Sequence, residues 1–150
     1  FNGYWKNQAE TDAAFLDGWV SVGDIARRDA EGYLYIIDRK KDMVISGGTN
    51  IYPREVENVL GQHPMILEAG VIGVPDEKWG ERLKAFVVIS DEESFAPDQI
   101  ISFAESHLAK YKVPKDFEVI SQLPRNANGK VLKAVLRERT QTSINEEKVS

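Results

Sequence analysis

The twenty residues from Asp38 to Glu57, DRKKDMVISGGTNIYPREVE, constrain this chain more than any other stretch. Asp38 to Asp42 is a charge run too polar for a core, and Met43 to Ile45 is a short apolar run of β type. The chain is therefore expected to pass abruptly from a solvated, hinge-like joint into a buried strand. Gly47 and Gly48 follow, permitting positive φ and leaving room for another backbone or a ligand to come close. Pro53 stands where a first helical residue belongs, since its missing N–H costs nothing there, and Val56, Val59 and Leu60 then share one helical face.

The rest of the chain supplies one ordinary core. Its 150 residues are 42% hydrophobic, enough for a single compact domain with an appended segment. Nineteen basic against 24 acidic residues give a net charge of -5, which offers no general basis for binding nucleic acid. The absence of cysteine excludes disulfides, thiolate metal sites and cysteine nucleophiles, and two histidines far apart in the sequence give no expectation of a metal site. No apolar run approaches the roughly 20 residues needed to span a bilayer, so no transmembrane segment is expected and a cytoplasmic protein is the default. A chain that opens on Phe1 rather than Met is expected to be a fragment of a longer one.

Periodicity places the remaining elements. Asn7 to Leu16 reads as one or two helical turns stopped by Asp17-Gly18, and Trp19–Ala26 with Tyr33–Asp38 reads as a hairpin. After the helix that starts at Pro53, Ile66–Val74 and Leu83–Ser90 read as strands, the second apolar enough to be central. Pro97–Lys110 carries Ile100, Phe103, Ala104, His107 and Leu108 at helical spacing. Phe117–Ile120 reads as a last strand. Val131–Arg139 reads as a closing helix with Val131, Leu132, Val135 and Leu136 inward, Lys133, Arg137 and Arg139 outward, and a frayed tail from Gln141. The order argues for an α+β fold, a mainly antiparallel sheet with helices laid on it, over residues 38–150. Residues 1–37 read as the end of another, larger domain.

Leu123 to Lys130, LPRNANGK, is the second distinctive stretch. Its Pro, two Asn and Gly preclude regular structure, so Lys130 is presented at a loop end just before a helix. It is not a P-loop, because Pro124 stands where the first glycine would be and Val131 where a magnesium-binding Ser or Thr would be. Lys110-Tyr-Lys-Val-Pro-Lys115 interleaves an aromatic with three cations. That pattern suits stacking a base and neutralising a phosphate, and equally a plain basic cluster at a helix end.

Together these stretches resemble the adenylate-forming superfamily, which includes acyl-CoA synthetases, peptide-synthetase adenylation domains and firefly luciferase. The form Asp-Arg-x-Lys-Asp-Met followed by Gly-Gly-x-Asn-Ile-Tyr-Pro-x-Glu-Val-Glu is most similar to the acyl-CoA synthetase branch. Pro-x-x-x-x-Gly-Lys resembles the adenylation-lysine motif near the family's C-terminus, and the likeness extends over essentially the whole chain.

The resemblance implies that Lys130 is catalytic, bridging the acyl carboxylate and the α-phosphate as pyrophosphate leaves. It implies that Asp24 and Arg39 fix the ribose of the adenylate, a carboxylate being able to accept two hydroxyl hydrogen bonds. Without the resemblance, Asp24 reads as a solvated hairpin residue and Arg39 to Lys41 as a solvated charge run, as Lys40 still does. The resemblance also implies that Lys41 occupies the hinge position, about which a C-terminal lid would rotate after adenylation to bring Gly47 and Gly48 to the site, with Asn50 near the same tunnel. Tyr111, Lys112 and Lys115 are candidates for holding coenzyme A. The implied parent is an ATP-dependent carboxylic acid:CoA ligase of fatty-acid type metabolism, with Mg²⁺ belonging to the ATP complex and no metal ligand in this chain. Its partners are the missing N-terminal large domain, the acid, ATP and coenzyme A. Alternatives are an adenylation module that loads a carrier protein and a non-catalytic interaction module that keeps the lid fold.

Overall fold

A computed structural model describes residues 1–90 and 95–147, with side chains described to residue 142. The chain divides into two compact units, Phe1–Lys41 and Asp42–Ser150.

The first unit opens with α1 (Gln8–Ala14), whose N-cap Asn7 accepts the Glu10 N–H through its side chain at 3.1 Å. The helix ends before Phe15. Phe15–Leu16 is β1, paired antiparallel with β2 (Trp19–Val20). Asp17 and Gly18 between them have φ 48° and 83°. They are thus a hairpin turn rather than a simple helix stop, because two positive φ values match the twist of the flanking strands. The expected strand from Trp19 is interrupted at Gly23, and its second part forms β3 (Asp24–Arg28), antiparallel to β4 (Leu34–Arg39). The hairpin is closed by Asp29, whose Oδ1 accepts the Tyr33 N–H at 2.8 Å. Trp5, Trp19, Leu34 and Ile36 are largely exposed in this unit.

The joint is a 3₁₀ turn, Lys40–Asp42, across the boundary between the units, and it leads into β5 (Val44–Ser46), the first strand of the second unit. Then come β6 (Thr49–Ile51), α2 (Pro53–Leu60), β7 (Ile66–Asp76), β8 (Gly80–Ile89), α3 (Pro97–His107), β9 (Asp116–Val119) and α4 (Lys133–Glu147). The sheet order is β6-β5-β8-β7, with β9 on the β5 side of β8. All pairs are antiparallel except β8 with β9, so the expected α+β architecture, a mainly antiparallel sheet under helices, is the one observed. The continuously apolar β8 is central. Alternation along it feeds two cores. Leu83, Ala85 and Val87 face Val56 and Leu60 of α2 and Ile100 and Ala104 of α3. Phe86, with Ile72 and Val74 of β7, joins Ile120, Leu123 and Leu136 of α4. At Gly70 a Cβ would lie 3.0 Å from Leu123 and 3.2 Å from Leu136, so α4 packs where β7 carries no side chain.

Two sequence expectations are corrected here. Asp38 and Asp42 are buried rather than solvated. Asp42 is held by Arg137 at 3.0 Å, and a partner of this kind makes burial of a carboxylate tolerable. The face of α4 is also turned from the one expected. Lys133, Leu136, Arg137 and Thr140 point to the body, while Leu132 and Val135 are exposed. Lys133 Nζ meets Glu57 at 2.7 Å, and the Glu57 carboxylate also accepts the Val71 N–H at 2.8 Å. Ion pairs with α2 and with the joint, rather than apolar side chains alone, therefore set the helix rotation. The helix continues to Glu147, past the point where fraying was expected. No helix among the described residues is long and apolar enough to cross a membrane.

Candidate functional site

Gly47 and Gly48 form the two-residue turn between β5 and β6, with φ 55° and 78°. The site begins with how this turn is held. Gly47 donates its N–H to the Trp79 carbonyl at 2.9 Å, and a Cβ on Gly47 would sit 2.8 Å from the Trp79 ring. β5 meets β8 at the single bridge Ser46–Gly80, and beyond it Glu81 Oε2 accepts the Ile45 N–H at 2.8 Å. Trp79 and Glu81 thus brace the glycine turn against β8. Space above Gly47 goes to an indole, whereas at Gly48 nothing lies within 4 Å of a Cβ position.

Beside the turn lies a cleft of about 510 Å³. Gly47, Tyr111 and Lys115, all candidates from the sequence, line it together with Trp79, Arg82 and Lys110. Asp76 also lines it and Arg82 is engaged by Asp116 at 3.1 Å, so the two aromatic faces with Lys110 and Lys115 are what the concavity offers a flat heterocycle and an anionic group. Two other candidates take different positions. The Lys112 ammonium is engaged by Glu55 of α2 at 2.7 Å, and Asn50 is an exposed β6 residue opposite Ile45, outside the cleft lining. Arg82 was not singled out by the sequence; it belongs to an apolar strand, and only the approach of β8 to the Lys110–Lys115 segment gives it a place here.

Lys130 closes a turn held by several backbone hydrogen bonds. Asn126 Oδ1 accepts the N–H groups of Asn128 at 3.0 Å and Lys130 at 2.9 Å. The Asn126 N–H donates to the Lys130 carbonyl at 2.9 Å, and Gly129, at φ 78°, donates to the Asn126 carbonyl at 2.9 Å. Arg125 and Val131 form a β-bridge across the turn. Lys130 itself is exposed, carried on a tight hairpin rather than on a loose loop. A cation presented this way can meet an anion brought to it.

In the first unit, Asp24 and Arg39 are cross-strand partners in the β3–β4 register, and Arg39 Nε lies 2.8 Å from Asp24 Oδ1. Lys40 donates its N–H to the Gly23 carbonyl at 2.8 Å, so the strand is held up to the joint. Lys41 follows, exposed, at the end of this unit.

A further charge network covers the β8–β9 edge. Lys84, buried, pairs with Glu118 at 2.9 Å, and Arg139 of α4 reaches the same carboxylate at 2.6 Å. Partial burial pushes the Glu118 carboxyl up, but hydrogen bonds and charge from Lys84 and Arg139 outweigh it and hold the group below the ordinary glutamate value. This network joins β8, β9 and α4 and lies outside the cleft lining. Among the described residues no group of His, Cys, Asp or Glu side chains is arranged to hold a metal ion.

Against this geometry stand the likenesses to known proteins. The family described as AMP-binding enzyme C-terminal domain matches residues 55–130. A long-chain-fatty-acid–CoA ligase of Mycobacterium tuberculosis, FadD13, is 47% identical over 141 residues, covering 94% of this chain and 28% of the relative. A 2-succinylbenzoate–CoA ligase of Listeria monocytogenes is 44% identical over 137 residues, covering 91% of this chain and 29% of the relative. The solved structure of ATP-bound MatB from Rhodopseudomonas palustris superposes with a TM-score of 0.84 at 40% identity, over 93% of this chain and 28% of that one. The chain thus spans less than a third of the length of these relatives.

Proposed function

The chain belongs to the family of AMP-binding enzyme C-terminal domains of the adenylate-forming superfamily, and on that premise we propose that it is the C-terminal portion of a cytoplasmic, ATP-dependent carboxylic acid:CoA ligase. The reaction is acid plus ATP giving acyl-AMP and pyrophosphate, then attack of the coenzyme A thiol to give acyl-CoA and AMP. The observation that carries the reading is that one compact unit holds two separate pieces of equipment. Lys130 stands on a braced turn, and the Gly47–Gly48 turn borders a cationic, aromatic cleft of which Lys130 is not a lining residue.

In this reading Lys130 supplies the positive charge that stabilises the adenylation transition state, where a preorganised cation is worth most. Asp24, with Arg39 beside it, receives the ribose hydroxyls. Rotation about the joint at Lys41 then withdraws Lys130 and brings the glycine turn forward, so that one lid serves both half-reactions. The cleft fits the nucleotide end of coenzyme A, with Trp79 or Tyr111 against the adenine and Lys110 and Lys115 toward the phosphates. Lys112, already paired with Glu55, is given a structural role instead. Mg²⁺ enters only with the ATP phosphates. The first 37 residues, with their exposed tryptophans, are taken as the end of a large domain that carries the acid pocket.

The test is to assay the whole chain that carries this segment, with ATP and a panel of carboxylic acids. Acid-dependent exchange of pyrophosphate into ATP, and acyl-CoA with AMP once coenzyme A is added, are expected. Formation of ADP, or exchange that ignores the acid, would refute the reading.

A further inference from the structure

We infer that Arg125 is the positioning residue for Lys130, tying the lysine's turn to strand β7 through Glu68 so that adenylation proceeds with the ammonium already aimed. The inference rests on the adenylating role given to Lys130 above, and it concerns a residue the sequence did not single out.

A single peptide group, between Gly129 and Lys130, is held at both of its polar atoms. Its carbonyl accepts from Arg125 Nη1 at 2.6 Å, and its N–H donates to Asn126 Oδ1 at 2.9 Å. The next peptide is held too, since the Lys130 carbonyl accepts the Asn126 N–H at 2.9 Å. With both flanking peptides pinned, the direction in which Cβ leaves the Lys130 backbone is fixed, and only side-chain torsions remain. Asn126 belongs to the turn and can brace it only against itself. Arg125 alone of these groups leads out of it, because Nη2 meets Glu68 Oε2 on β7 at 2.9 Å. A planar guanidinium can hold a carbonyl and a carboxylate at once in a fixed relation, which a lysine could not do. Glu68 pairs with Val88 of central β8, just past a register irregularity between Ile66 and Glu68, so the strap leads from the turn into the sheet.

Both partners are about two-fifths exposed, and exposed ion pairs contribute little to global stability. The strap therefore bears on where Lys130 is held far more than on whether the chain folds. Misplacing a reacting group by about 1 Å can cost up to roughly 100-fold in rate.

The experiment compares Arg125→Ala, Glu68→Ala, the double variant and Lys130→Ala in the whole ligase chain. Arg125→Ala is expected to lower kcat for acyl-AMP formation about 10-fold or more, with the KM for ATP nearly unchanged and with thioester formation from supplied acyl-AMP unaffected. Glu68→Ala should reproduce this, and the double variant should be no worse than either single one, as for two ends of one strap. Faster amide exchange at Lys130 in Arg125→Ala, with core β8 amides unchanged, is expected alongside. A raised KM for ATP in Arg125→Ala that Glu68→Ala does not share would mean that Arg125 binds substrate directly, and would overturn the inference. Wild-type adenylation in Arg125→Ala beside a crippled Lys130→Ala would overturn it while sparing the role of Lys130. Normal adenylation in Lys130→Ala would overturn that role and this inference with it.

Discussion

Arg137 of α4 reaches back 95 residues to Asp42, its Nη2 3.0 Å from the buried Oδ1, and so ties the last helix to the residue that follows Lys41. The pair does two things. It makes burial of Asp42 tolerable, and it fixes the point at which the chain enters the second unit. Truncation should therefore be costly for a pair that is only partly in water. We expect Arg137→Ala to destabilise the second unit by about 2 kcal/mol, the scale for leaving a buried charged acceptor without its partner. Native-state amide exchange in β8 measures this directly. Unchanged protection there would mean that water serves Asp42 as well as Arg137 does.

The two glycines of the β5–β6 turn should differ. Alanine at either position pays about 1–2 kcal/mol for left-handed backbone. At Gly47 the new methyl also meets the Trp79 ring at 2.8 Å, whereas at Gly48 it meets nothing. Gly47→Ala should be the more destabilising in urea unfolding, and adding Trp79→Ala should remove much of the difference. Equal losses at the two positions would dismiss the indole contact as a constraint.

These relationships mark how far the sequence could be read. The central strand β8, the helix starting at Pro53 and the glycine turn were legible because each carries a local signal: apolar continuity, a proline at the first helical turn, and adjacent glycines. The rotation of α4 was not. Leu132 and Val135 look like core residues by hydropathy, yet Glu57 and Asp42 draw Lys133 and Arg137 inward across 76 and 95 residues. Strand β6 was missed because Thr49-Asn50-Ile51 is too short and polar to show an alternation, and exists as a strand through its pairing with β5. The same limit applied at the candidate site. Lys130 announces itself by its loop, but nothing in the sequence joins Arg125 to Glu68, and Lys112, which resembles a phosphate ligand, is taken by Glu55.

Glu118 gives a pH dependence whose sign is fixed. Its carboxyl is held below the ordinary value of 4.5 in the folded chain, so the unfolded chain binds more protons as pH falls through that region. The contribution of Glu118 is then fully present above about 4.5 and is lost as pH drops through the lower, folded value. Glu118→Gln should lower stability at pH 7 and flatten the acid limb of the stability curve. A variant with an acid limb as steep as the parent's would assign that limb to other carboxylates.

Lys41 sits in the 3₁₀ turn that joins the two units. Proline there fixes φ near −65° and restricts any rotation about the joint. In the ligase proposed above, Lys41→Pro is expected to slow thioester formation more than acyl-AMP formation in single-turnover assays. Equal loss in both steps, or none in either, would refute the hinge role.

Lys130→Ala is the sharpest test of the proposed two-task lid. The lysine is exposed, and the hydrogen bonds that shape its turn come from its backbone and from Asn126 and Arg125, so the substitution removes a charge without removing the turn. Stability should change by no more than about 0.5 kcal/mol, as for surface substitutions generally. Removing one preorganised cation from the adenylation transition state should cost roughly 100-fold or more in acyl-AMP formation, by analogy with the loss of an oxyanion-stabilising donor. Thioester formation from chemically made acyl-AMP should be largely spared, because in that step the cleft beside Gly47, and not Lys130, is expected to face the substrate. If supplied acyl-AMP were converted to acyl-CoA as poorly as acid and ATP are, Lys130 would act in both steps and the separation of the lid's two pieces of equipment would have no functional counterpart.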